Sequence, residues 1–237
     1  MTSKTFLHTA LVATLAGAAA LSGAANAGAP ESSTRLLTAN FASRQVVQVE
    51  VGDFHFKPGQ VAPIHTHAAP AVGYVAKGMI IYQVEGEKPQ ILEAGDVFYE
   101  PVGPRILRFD NASATEEAIF LDFNLEQVDE PFIVFEEQPT EAIDRRTLPT
   151  IDVADTNVDQ VDVYSSELAP SGTLHLRNQE STLGLVSEGI IEIRIEGEPT
   201  QRMAAGESFY LTTAGVPATV VNASAEVPAK VITFRLR

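Results

Sequence analysis

Residues 73–114 read GYVAKGMIIYQVEGEKPQILEAGDVFYEPVGPRILRFDNASA, and residues 184–225 read GLVSEGIIEIRIEGEPTQRMAAGESFYLTTAGVPATVVNASA. The two stretches align without a gap at an offset of 111 positions. Gly78 falls on Gly189, Ala94-Gly95 on Ala205-Gly206, Phe98-Tyr99 on Phe209-Tyr210 and Asn111 on Asn222. Matches in this order mark an internal repeat, which has to be recognised before any single motif is read. Upstream, QVEV at 48–51 answers QVDV at 160–163 one residue out of step, so the loops before the matched blocks differ in length.

Each copy reads as β-structure. In EIRIE, Ile191, Ile193 and Ile195 alternate with charged residues, the period of a half-buried strand. The EGE stretch that follows turns the chain into a second strand. VVQVEV, AIFLDF, PFIVFEE and KVITFRLR are further β-branched or aromatic runs, divided by glycine and proline. Short strands at this spacing predict a sandwich or barrel. EEQPTEAIDRRTLP, residues 136–149, is polar and lacks alternation, so it is read as the connection between copies. The expected organisation is a first barrel over 28–135, a linker over 136–149 and a second barrel over 150–237.

The first 27 residues are set apart. Lys4 precedes an alanine-rich apolar run that ends at Ala25-Asn26-Ala27, the pattern of a signal peptide and its cleavage site. Export to the periplasm or the extracellular space is therefore expected, with a mature chain starting at Gly28. The net charge of −15 repels phosphate backbones and anionic lipid, so neither nucleic acid nor membrane is an expected partner. With no cysteine, disulfides, zinc–thiolate sites and thiol nucleophiles are excluded.

The chemistry concentrates in HTHAAPAVGYVAKG, residues 65–78. On a strand, His65 and His67 share a face, and two imidazoles there can hold one Zn, Fe, Mn, Ni or Cu ion. The chain resembles the cupin superfamily, and its two copies resemble a bicupin. The first cupin motif, G-x5-H-x-H-x3-E-x6-G, is met by Gly59, His65, His67 and Gly78, with Ala71 at the glutamate position. The second, G-x5-P-x-G-x2-H-x3-N, is met by Gly95, Pro101 and Gly103, with Ile106 at the histidine position and Asn111 one residue late. The resemblance implies an all-β fold of two tandem cupin-type barrels (jelly rolls). It also implies one divalent metal inside the barrel, bound at these four positions, and it leaves homo-oligomers open.

Ala71 and Ile106 carry no donor atom, so a weak two-histidine site is expected. Glu100 is the best candidate to complete it, because it shares a face with Phe98 and the equivalent position is the apolar Leu211. His55, on the preceding strand, is another candidate. The expected pocket is lined by His65, His67, Ala71, Tyr82, Phe98, Glu100 and Ile106. In the second copy Leu176, Asn178 and Thr182 replace the motif-one ligands, with His175 and Glu180 as remnants in a shifted alignment, so that barrel is expected to be structural. No phosphate-binding glycine loop, G-x-S-x-G elbow or H-E-x-x-H helix is present. Three functions remain open: a binder of a small organic ligand with a weakly held metal, a metal-dependent oxygenase or isomerase with a non-standard third ligand, and a structural or assembly barrel.

Overall fold

The computed structural model describes residues 32–176, 180–212 and 216–237; the expected signal peptide and Asn178 lie outside them. The first half contains β1 (Ser32–Phe56), β2 (His65–Thr66), β3 (Ala71–Lys77), β4 (Met79–Val84), β5 (Gln90–Glu93), β6 (Val97–Glu100), β7 (Ile106–Asn111) and β8 (Ala118–Glu126). Two short strands follow, β9 (Val134–Phe135) and β10 (Asp144–Thr147). The second half contains β11 (Ile151–Leu168), β12 (Thr173–Leu176), β13 (Ser181–Glu188), β14 (Ile190–Ile195), β15 (Gln201–Ala204), β16 (Ser208–Leu211), β17 (Ala218–Asn222) and β18 (Ala229–Leu236). No helix of the described residues is long and apolar enough to cross a membrane.

The strands form an all-β jelly roll in each half. Order β1-β8-β3-β6 in the first half has its counterpart in β11-β18-β13-β16, and β5-β4-β7-β2 in β15-β14-β17-β12. The long strands β1 and β11 pair antiparallel from Ser32 opposite Glu167 to Val49 opposite Ile151, so one nine-stranded sheet runs through both halves. β10 also pairs with β1. Part of the polar segment expected to be a plain linker is thus sheet: its ladder is made by the backbone, which hydropathy does not report.

Alternation on the strands sets up three apolar cores. β8 is buried on both faces: Leu121, Phe123 and Leu125 enter the core between the halves, where Phe123 meets Phe234 with ring centroids 4.6 Å apart. Its other face, Phe120, Asp122, Asn124 and Glu126, turns into the first barrel. That barrel is filled by Phe54, Phe56, Phe98, Phe109 and Phe120, and the second by leucine, isoleucine and valine around Phe209.

The same local devices hold both halves. Gly78 and Gly189 turn the chain between strands at φ 78° and 79°. A Cβ on Gly78 would sit 2.7 Å from the Glu117 carbonyl oxygen, and one on Gly189 2.9 Å from the Ala229 Cβ. Asn111 Nδ2 donates to the carbonyls of Phe56, Lys57 and Glu116 at 2.8–3.1 Å, and its Oδ1 accepts from the Ser113 amide. Asn222 makes the same set to Leu168, Ala169, Val227 and Ser224. Asn111→Ala strands these buried groups and should destabilise the protein by about 2–3 kcal/mol. Urea unfolding measures this, and a loss below about 0.5 kcal/mol, the size of a plain surface change, would contradict the role.

Candidate metal centre

β2 carries His65 into the first barrel, between Phe135 on β9 and Ile106 on β7. His67 follows just past the strand end. β6 ends at Glu100. All three side chains are buried, each residue only 3% exposed. His65 Nε2 lies 3.6 Å from Glu100 Oε1, and His67 Nε2 lies 3.2 Å from Glu100 Oε2. One ligand atom from each of the three falls within 4.8 Å of the others.

Register explains why Glu100 is there. Ala71 on β3 pairs directly with Glu100 on β6. Directly opposed residues point to the same face with Cβ atoms about 5 Å apart. The carboxylate missing at position 71 therefore enters the same space from the neighbouring strand, and the small alanine leaves room for it. The described residues thus bring together two imidazoles and the carboxylate that the sequence offered as the best candidate to complete the site.

The histidines are held from behind. His65 Nδ1 donates to the Pro63 carbonyl at 2.8 Å, and His67 Nδ1 to Asn124 Oδ1 at 3.4 Å. A proton held on Nδ1 turns the other ring nitrogen, Nε2, toward Glu100. Asn124 is itself fixed, donating to Glu126 Oε1 at 3.1 Å and to the Phe132 carbonyl at 2.9 Å, and Gln48 donates to the other Glu126 oxygen at 2.7 Å.

The charges are concentrated in an apolar setting. Burial alone would raise Glu100, but His67 and His65 beside it hold its carboxyl well below the usual carboxylate range. Burial alone would lower His67, yet Glu100, with help from Asp122 and Asn124, holds it up at about 9. Burial and then the like charge of Glu100 push Asp122 up to about 8. His67 Nε2 and Glu100 Oε1 are fully buried, and apart from the ion-pair contacts within the three-residue group neither makes a well-aligned hydrogen bond. Two imidazole nitrogens and a carboxylate, converging in this way, fit a divalent transition ion, which on binding would displace the His67 proton.

The cavity beside these groups is small, about 30 Å³. That is room for one or two waters. Its walls are Phe54, Phe56, Phe109, Phe120 and Ala62, closed over by Ile133, Phe135 and Ile143 from the segment after β8. Of the residues expected to line a pocket, His65, His67 and Glu100 do so. Ala71 lies opposite Glu100 on the neighbouring strand. Ile106 pairs with His65 and contributes only bulk. Tyr82 and Phe98 belong to the apolar filling, with the Tyr82 hydroxyl donating to the Tyr99 carbonyl. His55 is not a third ligand: its ring nitrogens meet Asp53 at 3.2 Å and Glu117 at 3.3 Å. Phe54 and Phe56 face the cavity, so strand alternation sends His55 the other way.

Asp122 and Asn124 escaped the sequence reading. Their signal was present in AIFLDFNLE, where a polar residue at every second place interrupts an otherwise core-like strand. In the second half Thr182 pairs with Leu211 as Ala71 pairs with Glu100, while Thr233 and Arg235 occupy the places of Asp122 and Asn124. Among the described residues no second group suited to a metal occurs. His175 is exposed, and Glu180 pairs with Arg237 at 2.9 Å.

A model of the cupin domain family matches residues 52–124. Residues 52–124 are a cupin domain. That domain carries His65, His67, Glu100, Asp122 and Asn124. No curated protein matches the chain. Among solved structures, AerE from Microcystis aeruginosa is similar over 86% of this chain and 98% of its own, at 15% identity and a TM-score of 0.57. Salicylate 1,2-dioxygenase from Pseudaminobacter salicylatoxidans is similar over 80% of this chain and 71% of its own, at 16% identity and a TM-score of 0.56. Its adduct with gentisate gives 17% identity and a TM-score of 0.56, over 80% of this chain and 68% of its own. At such identities the likeness is one of fold.

Proposed function

We propose that the cupin domain binds one divalent transition metal through His65, His67 and Glu100, and that the protein is a metal-dependent enzyme of the oxygenase type acting on a small molecule. The observation that carries this is Glu100 meeting both histidines in a buried cavity with unsatisfied donor atoms. Two histidines and one carboxylate, with positions left open, is the ligand set of non-haem iron oxygenases. The dioxygenase among the similar folds, solved as a gentisate adduct, is consistent with that class. When bound, such a metal supplies a Lewis-acid and redox centre. The chain's own residues hold it, fix the imidazole rings through Pro63 and Asn124, and surround it with a phenyl wall that leaves space for a small ligand. We read the whole chain as a bicupin whose second barrel is structural, and as an exported protein whose mature form starts at Gly28. Intact mass of secreted protein tests the last point, and retention of Met1 would refute it.

The functional test is metal content after purification without chelator or His-tag, followed by oxygen uptake of iron-loaded protein with small hydroxylated molecules. About one metal per chain and substrate-dependent uptake are expected. Metal-free protein that also takes up none on incubation would reject the reading.

Affinity for the metal should depend on pH in a set direction. A metal needs neutral His67, and Glu100 holds His67 protonated up to about 9. Binding below that pH expels the proton, so affinity should rise about tenfold per pH unit as pH climbs toward 9. Calorimetry in buffers of different ionisation enthalpy reads the proton released. Binding independent of pH between 6 and 8 would contradict the pairing.

A further inference from the structure

Asp122 is the one other ionisable side chain in the wall of the metal cavity, and the ligand set does not use it. It is only 3% exposed, and its Oδ1 has no hydrogen-bond partner. Its neighbours on both adjacent strands are glycines, Gly52 and Gly73. Neither offers a side chain, and phenyl rings fill the space instead: Phe98 lies over Gly73, and Phe54 and Phe132 over Gly52. Arg145, whose charge reaches Asp122, pairs with Glu50 and lies 3.8 Å from the Phe132 ring centroid.

The second half shows that the fold does not need this acid. Gly184 and Phe209 repeat the packing of Gly73 and Phe98, with a Cβ on Gly184 falling 2.0 Å from the Phe209 ring. Thr233 sits opposite Gly184, where Asp122 sits opposite Gly73. The acids at 100 and 122 have both gone, to Leu211 and Thr233, while the glycines and phenylalanines that build the barrel remain. A buried carboxyl oxygen without a hydrogen bond costs stability, and among the described residues such oxygens occur only in the half that has the histidines.

We propose that Asp122 is a positioning residue: its Oδ1 accepts a hydrogen bond from the small molecule held in the cavity, which therefore carries a proton on oxygen or nitrogen, as water, a hydroxyl or an amine does. This deepens the metal reading and rests on it. Oδ1 can accept whether or not the other oxygen shares a proton with Glu100. A ligand lacking a donor gains nothing from it. Asparagine can keep this function, its amide nitrogen turned to Glu100 and its oxygen to the cavity; leucine cannot.

The test uses the full chain loaded with Co(II), whose visible absorption reports added ligands. Hydroxylamine serves as the donor-bearing probe and azide as the donor-free one, in the unaltered protein, Asp122→Leu and Asp122→Asn. Asp122→Val replaces leucine if the latter does not fold. In Asp122→Leu the affinity for hydroxylamine relative to azide should fall about tenfold or more, the scale of one buried hydrogen bond. In Asp122→Asn it should stay within about threefold, and all variants should keep one Co(II) per chain. An unchanged ratio in Asp122→Leu overturns the proposal, as does an equal fall in Asp122→Asn. Loss of Co(II) from Asp122→Asn also overturns it, by making Asp122 a ligand. Failure of the unaltered protein to bind Co(II) would instead remove the metal reading, and this inference with it.

Discussion

Replacing Glu100 with leucine, the residue at the equivalent position 211, lowers affinity for Co(II) or Zn(II) by at least about a hundredfold. Loss of a mere outer partner of a metal ligand costs about 10–100-fold, and the proposed site puts Glu100 among the ligands themselves. The fold should survive, because Leu211 already occupies this place in the second half and pairs there with Thr182. The register supplies a rescue. Ala71 and Glu100 are opposed across β3 and β6, so the double variant Ala71→Glu, Glu100→Ala presents a carboxylate to the same space from the other strand. It should regain most of the lost affinity. Isothermal titration of the three proteins decides: unchanged affinity in Glu100→Leu would place the metal elsewhere, and a failed rescue would mean that β6 alone can aim the group.

The single variant Ala71→Glu has the opposite character. Ala71 is fully buried, and its neighbours already include Glu100, with Asp122 close to Glu100. A third carboxyl in this space has no unmatched cation to meet, since His67 is already paired with Glu100 and Arg145 with Glu50, and an uncompensated buried charge costs about 3–5 kcal/mol. Metal-free Ala71→Glu should therefore be destabilised by about 3 kcal/mol or more, with part of the loss recovered on adding Zn(II), since a metal bound only by the folded state stabilises it. Urea unfolding with and without Zn(II) measures both. A loss under about 1 kcal/mol, within the range of ordinary substitutions, would show that position 71 does not face the acid cluster.

The barrel was readable from the chain because its determinants are local. Alternation in EIRIE is seen again in β14, where Ile191 and Ile193 are buried and Arg194 is exposed. Two-residue spacing put His65 and His67 together, and the same period put Phe98 and Glu100 on the buried face of β6. What stayed hidden depends on register, which pairs residues far apart in the chain. Nothing around position 71 reveals that Glu100 lies opposite it. Asp122 was concealed differently: β8 is buried on both faces, so its polar inward row is interrupted by the apolar residues of the other core. β10, with the sequence DRRT, forms through backbone pairing to β1 and has no hydrophobic signature. His55, one of two candidate extra ligands, faces away from the cavity, and Phe54 and Phe56 on either side of it already set that phase.

The cupin domain should hold a metal with three protein ligands rather than two. Isothermal titration of chelator-stripped full-length protein with Co(II), against His65→Ala and Glu100→Leu, tests it most directly. One tight site per chain is expected, and both substitutions should weaken it by about a hundredfold or more. Binding that is lost in His65→Ala but unaltered in Glu100→Leu would contradict it.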